Sequence, residues 1–362
     1  MKNNIITLFA SLLLISCARQ PDEPEMVKDI PLDVVRPAAV FVIPNVIESD
    51  DNVLVLQSRL DLSDISIVRF DSSGVVGMEK LNFRDDMHGC FMCFKNHDTI
   101  IYFPVNCGIN SLFFYDDKGV LHDEIDLHPA LAGMDPMTGL KLDSHRLYVG
   151  NSNEEYGTIS AEERALYYEN VKPVCVVDLS NRNVSVFGAF PVFYKKNNYS
   201  FNDWFPVICP LEDNRCLISF ACDDSVYLYK NDVKEKAFLC KSRYIDEFVP
   251  FDDSRAFDMG YYRKYSMSNP KYSNLVYNRH TGEYYRVAEH EKEVGVNGNL
   301  IDGHVPTWSI IVMDSSFSVK KEYCFQLDEY NPEIIVPSKE GVYLRKAPSI
   351  ETYVLTLTLF KL

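Results

Sequence analysis

The segment Thr99-Ile100-Ile101-Tyr102-Phe103, followed after seven residues by Ser111-Leu112-Phe113-Phe114-Tyr115-Asp116-Asp117-Lys118-Gly119-Val120-Leu121, decides the fold. Both apolar runs are short and rich in β-branched and aromatic residues, which suit a pleated, half-buried surface. Asp-Asp-Lys-Gly is tight-turn chemistry, because Gly adopts positive φ without steric cost and Asp hydrogen-bonds its own backbone two residues on. The segment therefore predicts three strands in an antiparallel meander.

Outward from it, the unit recurs in both directions. Upstream, Val53-Leu54-Val55-Leu56 leads to Ile65-Ser66-Ile67-Val68-Arg69-Phe70 and the turn Asp71-Ser72-Ser73-Gly74. Downstream, residues 145–149 and 174–177 precede a turn at 178–183, and residues 217–220 and 226–229 precede Lys230-Asn231-Asp232. Leu275-Val276-Tyr277 then meets a turn at Asn278-Arg279-His280-Thr281-Gly282, and Ser309-Ile310-Ile311-Val312-Met313 one at Asp314-Ser315-Ser316. The turns begin at 71, 116, 178, 230, 278 and 314, a spacing of about 49 residues, which is the period of four-stranded propeller blades.

After the sixth turn and the run at 319–325, three further runs, 332–336, 341–344 and 353–360, fall one strand short of another blade. The apolar segment 38–43, or the one before it, is the candidate to complete it. The expected fold is thus an all-β β-propeller of seven four-stranded blades, or six if the terminal strands complete a blade already counted. Its ring is closed by pairing of the N- and C-terminal strands, which removes exposed sheet edges. A β-sandwich pair or a β-solenoid is the competing all-β architecture.

The N-terminus predicts export. Lys2 and the apolar run at residues 5–15 end at Ser16-Cys17, the layout of a signal peptide and too short for a membrane-spanning helix of about 20 residues. Leu14-Ile15-Ser16-Cys17 resembles the bacterial lipobox. That resemblance implies diacylglycerol on the Cys17 thiol, cleavage before it and N-acylation by a chain such as palmitate, enough for stable anchoring. Ala18 in place of Asp implies an outer-membrane destination, in either leaflet. Asp22-Glu23-Pro24-Glu25 reads as a solvated tether or as a loose surface-export signal. The domain reading is a signal peptide at 1–16, a lipid-anchored tether at 17–37 and a propeller at 38–362.

With anchor, turns and period in view, and with the ending Glu340-Gly341-Val342-Tyr343-Leu344, the chain resembles the TolB-like propeller lipoproteins of gut bacteria, many without an assigned function. The resemblance implies fold and compartment.

Composition is that of a globular protein, 46% hydrophobic and 13% aromatic. A net charge of −16 argues against nucleic acid and anionic membrane surfaces as partners, since both would repel it. Of ten cysteines, nine remain beside Cys17, an odd number that leaves at least one thiol unpaired within the chain. Most lie in apolar runs and read as buried hydrophobes. Cys90-x-x-Cys93 has no second pair to complete a zinc site.

No catalytic or cofactor motif emerges, and no cofactor is expected. His290-Glu291-Lys292-Glu293-Val294 lacks the second His of a zincin, and there is no nucleophile elbow or phosphate-cradling loop. The pairs Asp85-Asp86, Asp223-Asp224 and Asp252-Asp253 offer oxygen ligands for calcium, but read more simply as solvated turns.

The long connections are more informative. With strands a to d running outward, b-to-c and d-to-a connections share one face of the disc, and a-to-b and c-to-d turns share the other. Residues 150–170 and 260–271 read as b-to-c and 191–204 as d-to-a, so all three rise from one face. They carry the candidate binding residues Tyr156, Tyr199, Asn202, Asp203, Trp204, Tyr261, Tyr262 and Arg263, of types enriched at binding surfaces. The expected function is a non-catalytic binding or scaffold module for a protein, peptide or glycan of the cell envelope. The alternative is an envelope enzyme acting on polysaccharide with carboxylates around the central channel.

Overall fold

The computed structural model describes residues 22–32, 40–46, 52–58, 64–71, 73–82, 90–96, 99–104, 111–116, 118–127, 140–151, 161–199, 206–255, 257–295, 299–301, 303, 305–347 and 355–362. Among the described residues the strands form six four-stranded sheets. From the innermost strand outward, the first holds β2 (Val40–Val46), β3 (Asn52–Ser58), β4 (Asp64–Asp71) and β5 (Gly74–Asn82), and the second β6 (Cys90–Asn96), β7 (Thr99–Pro104), β8 (Ser111–Tyr115) and β9 (Leu121–Asp126). The third has β10 (Lys141–Leu142), β11 (Arg146–Gly150), β12 (Val174–Asp178) and β13 (Asn183–Phe187), and the fourth β14 (Val207–Leu211), β15 (Arg215–Ser219), β16 (Ser225–Lys230) and β17 (Val233–Leu239). The fifth has β18 (Lys271–Asn278), β19 (Glu283–Glu289), β20 (Thr307–Met313) and β21 (Val319–Gln326).

The sixth sheet joins the chain ends. β22 (Tyr330–Ser338), β23 (Gly341–Lys346) and β24 (Leu355–Lys361) are followed outward by β1 (Glu25–Leu32), which pairs antiparallel with β24 from Glu25 opposite Lys361 to Leu32 opposite Leu355. β2, β6, β10, β14, β18 and β22 contact one another in that cyclic order, with β22 returning to β2, so the sheets close into a propeller. Residues 25–32, read from sequence as tether, are therefore part of the domain.

Seven blades are overturned by this pairing, and the reason is local. The turn at Asn278 joins β18 to β19, and the turn at Asp314 joins β20 to β21 of the same sheet. The two turns share the same local chemistry. Asp71, Asp116, Asp178 and Asp314 end or follow their c strands, and each Oδ1 accepts the N–H of the residue two further on, from Ser73, Lys118, Ser180 and Ser316. Asn278 does the same for His280, at 3.0 Å. An a-to-b turn thus mimics a c-to-d turn, and the six turns counted from sequence belong to five sheets. It also follows that residues 260–271 lie on a d-to-a connection, between β17 and β18, and not on a b-to-c one.

The core lies between sheets. Cys93, Ile101 and Leu112 of the second sheet pack against Leu147, Val149 and Val177 of the third, and Val287, Trp308 and Ile310 of the fifth against Ile335, Val342 and Leu344 of the sixth. The closing seam packs Ile30, Leu32 and Leu357 on Val68 and Phe70 of the first sheet. Each such side chain leaves water for a favourable transfer of about 1.5–3 kcal/mol.

Candidate functional site

The long connections carry structure that the strand periodicity hides. Between β11 and β12 lies helix α1 (Ala161–Asn170), and between β17 and β18 lies helix α2 (Met259–Ser268). Asp258 caps α2: its Oδ1 accepts the Tyr261 N–H at 2.9 Å, and its Oδ2 holds Arg255 at 2.6 Å. The side chain thereby satisfies one N–H that the helix start would leave unpaired. Phe251 sits under the helix with its ring 5.1 Å from those of both Tyr261 and Tyr265. Tyr265 Oη donates to the Val249 carbonyl at 2.7 Å, which fixes the incoming strand-like segment against the helix.

Between that segment and α2 runs a cleft of about 470 Å³, lined by Tyr244 to Glu247, Val249, Tyr261, Lys264, Tyr265, Ser268 to Pro270 and Glu291. That volume suits a small ligand or a few side chains of a larger one. Asp246, Glu247 and Glu291 are exposed at it and face one ammonium, Lys264. Beside it, Phe257, Met259 and Val249 are 93%, 66% and 51% exposed, an unusual concentration of solvated apolar surface.

The floor is rigid. Tyr244 stacks on His290 with ring centres 4.6 Å apart. His290 is buried between the hydroxyls of Thr307 (2.7 Å from Nδ1) and Ser309 (2.9 Å from Nε2). Ser309 Oγ donates to the buried Glu322 carboxylate at 2.6 Å, so it accepts from His290 Nε2–H, and Thr307 donates to Nδ1. Glu322 also accepts from Ser242 Oγ at 2.5 Å and from the Arg243 N–H at 2.9 Å. Burial pushes the His290 imidazole down to about 4. Arg286, wholly buried, donates to the carbonyls of Asp224 and Cys240 and lies 3.4 Å from the Tyr272 ring centre. Together these groups lock the start of the β17–β18 connection to the fifth sheet.

A second concavity is the central channel, a cavity of about 180 Å³ bounded by innermost strands of the second to sixth sheets. Its described lining includes Lys141 and Arg279 with Cys93, Cys209 and Asn274, and contains no carboxylate. A glycosidase site at this place needs two acidic groups. Every described carboxylate whose pKa is displaced, from Asp29 to Asp314, is displaced downward by hydrogen bonds and cations, away from a general acid.

A family model described as a domain of unknown function, DUF4221, matches residues 85–323, two thirds of the 362. The chain belongs to the DUF4221 family. A crystal structure of a DUF4221 member from Bacteroides vulgatus superposes with a TM-score of 0.74 at 15% identity, covering 94% of this chain and 98% of that one. At that identity the likeness shows the fold. Virginiamycin B lyase from Staphylococcus aureus (TM-score 0.41, 10% identity, 93% and 99% covered) and a gluconolactonase from Xanthomonas campestris (0.43, 8%, 93% and 98%) also match. No curated protein matches the sequence.

The DUF4221 match spans the second to fifth sheets, and so includes the cleft. Of the residues singled out from sequence, Tyr261 lines the cleft, whereas Tyr262 and Arg263 on the same helix do not. Tyr199 is buried, its ring 5.0 Å from Tyr194 and 6.0 Å from Phe193, and it packs within the loop. Tyr156, Asn202, Asp203, Trp204 and Cys17 lie outside the described residues. Sequence reasoning missed Tyr244, Asp246, Glu247, Lys264 and Glu291; the pair Asp246-Glu247, after an aromatic and beside no strand, was the available signal. The acidic pairs are not solvated turns throughout. Asp223 accepts from Tyr227 Oη and Asp224 from Tyr272 Oη, while Asp252 and Asp253 accept from Ser254 and Asn198. No group of three or more metal-ligating side chains occurs among the described residues, and no described helix is long and apolar enough to cross a membrane.

Proposed function

We propose that this DUF4221 protein is a cell-envelope lipoprotein, anchored through Cys17 as in the TolB-like propeller lipoproteins it resembles, that binds a protein or peptide segment through its loop face without catalysis. The cleft between residues 244–249 and α2 carries this reading. Its tyrosine walls offer contact area at small entropic cost, its carboxylates outnumber its one ammonium, and exposed Phe257 and Met259 extend the apolar contact beyond the rim. A cationic, partly apolar peptide segment fits that surface better than an acidic glycan. Asp22 lies 3.6 Å from Arg243 and bridges to Tyr323. The five residues back to Cys17 reach at most about 18 Å, so an anchored molecule sits close to its membrane and not on a long leash.

Two experiments test the two halves. Cys17→Ser should move the protein from the membrane to the soluble fraction and abolish fatty-acid labelling, since only the thiol accepts diacylglycerol; labelling that persists overturns the anchor. Asp246→Asn with Glu247→Gln should weaken binding of a Lys-containing amphipathic peptide several-fold without changing the melting temperature, because both side chains are exposed. Equal binding by parent and variant at low salt removes the cleft from the function.

A further inference from the structure

The central channel presents an imbalance of charge that the rest of the molecule does not share. Its described lining holds the cations Lys141 and Arg279 and no carboxylate. This occurs in a chain of net charge −16. Elsewhere the enclosed cations have partners: Arg146 has Asp232 at 2.5 Å, Lys292 has Glu289 at 3.1 Å, and Arg286 has backbone carbonyls. Lys141 pairs with Tyr148 through its backbone, but its ammonium has no hydrogen bond or ion pair with any described residue. It borders the channel beside the thiols of Cys93 and Cys209, and burial pushes both thiols up to about 12, so they stay neutral and cannot balance it. Burial lowers the Lys141 ammonium as well. A half-buried ammonium beside apolar walls and without a described counter-charge is unfavourable, and an entering anion offsets that cost.

The surroundings narrow the class of anion. Leu142, Ile208, Val276 and Ile335 give the channel apolar walls, while Arg279 is exposed on the β18–β19 turn, at its mouth. A dianion such as phosphate would ask for several donors at one point. The volume, about 180 Å³, exceeds the roughly 150 Å³ known to admit benzene. We propose that the central channel is a binding site for a small organic carboxylate, whose head pairs with Lys141 and whose apolar body lies against Leu142, Ile208, Val276 and Ile335. The site is distinct from the loop-face cleft and does not depend on it.

Titration calorimetry of the purified full-length protein with benzoate, butyrate and inorganic phosphate tests the assignment. Benzoate and butyrate should bind at millimolar or lower concentration, and phosphate at least tenfold more weakly. Lys141→Met should weaken benzoate at least tenfold while keeping or raising the melting temperature, since it removes the unpaired ammonium and keeps the volume. Lys141→Arg, which keeps the charge, should retain more affinity than Lys141→Met, and Asp246→Asn should leave benzoate binding unchanged. Benzoate binding that is absent in the parent, or equal in parent and Lys141→Met, overturns the proposal; preference for phosphate overturns the carboxylate class.

Discussion

His290 shows how one side chain links the cleft floor to pH. Its imidazole is neutral in the folded state, held between Thr307 and Ser309 and stacked on Tyr244, and burial keeps it from protonating until about pH 4. An unfolded histidine protonates near pH 6.5. The folded pKa is the lower one, so the unfolded state binds the extra proton first, and stability is full above about pH 6.5 and falls as pH drops toward 4. The difference corresponds to about 3 kcal/mol. Urea unfolding of the parent should therefore show a loss of that order between pH 7 and pH 4, and His290→Gln, less stable at pH 7, should show a much flatter profile over the same interval. Carboxylates held below their ordinary values, such as Asp29 and Glu289, add their own loss of stability as pH falls through the unfolded carboxylate range near 4, and do so in both proteins, so the difference between the two profiles reports His290. Parallel profiles for the two proteins would show that His290 is not the group responsible.

Elements of this fold are set by turns and caps as much as by strands. At the β22–β23 hairpin, Gly341 has φ +149°, and a Cβ there would lie 1.9 Å from the Phe360 carbonyl oxygen of β24. No side chain fits without moving the backbone of the closing sheet. Gly341→Ala should cost several kcal/mol, at the upper end of single-residue effects, and should be read as a drop in urea midpoint with unchanged slope. In α2, Asp258→Ala should cost about 1 kcal/mol as a lost cap and weaken peptide binding more than melting temperature, because the cap orients the wall of the cleft. The strands and their turns were legible in the sequence because period-two patterning and Asx chemistry are both local. The number of sheets was not, because Asn278 builds an a-to-b turn with the same hydrogen bond as Asp178 builds in a c-to-d turn. α1 and α2 were also hidden, since Met259-Gly260-Tyr261-Tyr262-Arg263-Lys264-Tyr265 is rich in aromatics that favour strands, and only the Asp258 cap marks a helix start. Tyr261 was found as a surface aromatic, and Tyr199, of the same type, proved to be packing; residue type alone does not separate the two.

The whole molecule is held closed by its two ends. β1 and β24 share a seam in which Asp29 pairs with Lys346 at 2.6 Å and accepts from Thr358 at 2.5 Å, while Ile30, Leu32 and Leu357 bury their side chains against the first sheet. Lys346 and Thr358 hold the Asp29 carboxyl below its ordinary value, so the pair is intact at neutral pH. The first and sixth sheets thus meet through a strand that comes from the opposite end of the chain, and no edge of the closing sheet depends on local sequence. Such a ring has long-range contacts at its weakest point, and loop closure across most of the chain must precede them. Removing residues 352–362 deletes β24, leaves β1 without its partner and exposes β23 as an open edge. The truncated chain should lose its single cooperative unfolding transition and aggregate, whereas removing residues 1–21, which precede the seam, should leave the transition where it is in the parent. A truncated protein that melts as sharply as the parent, at nearly the same temperature, would show that the ring does not need its closing strand. Loss of the transition in both deletions would instead place the residues before Asp22 within the seam.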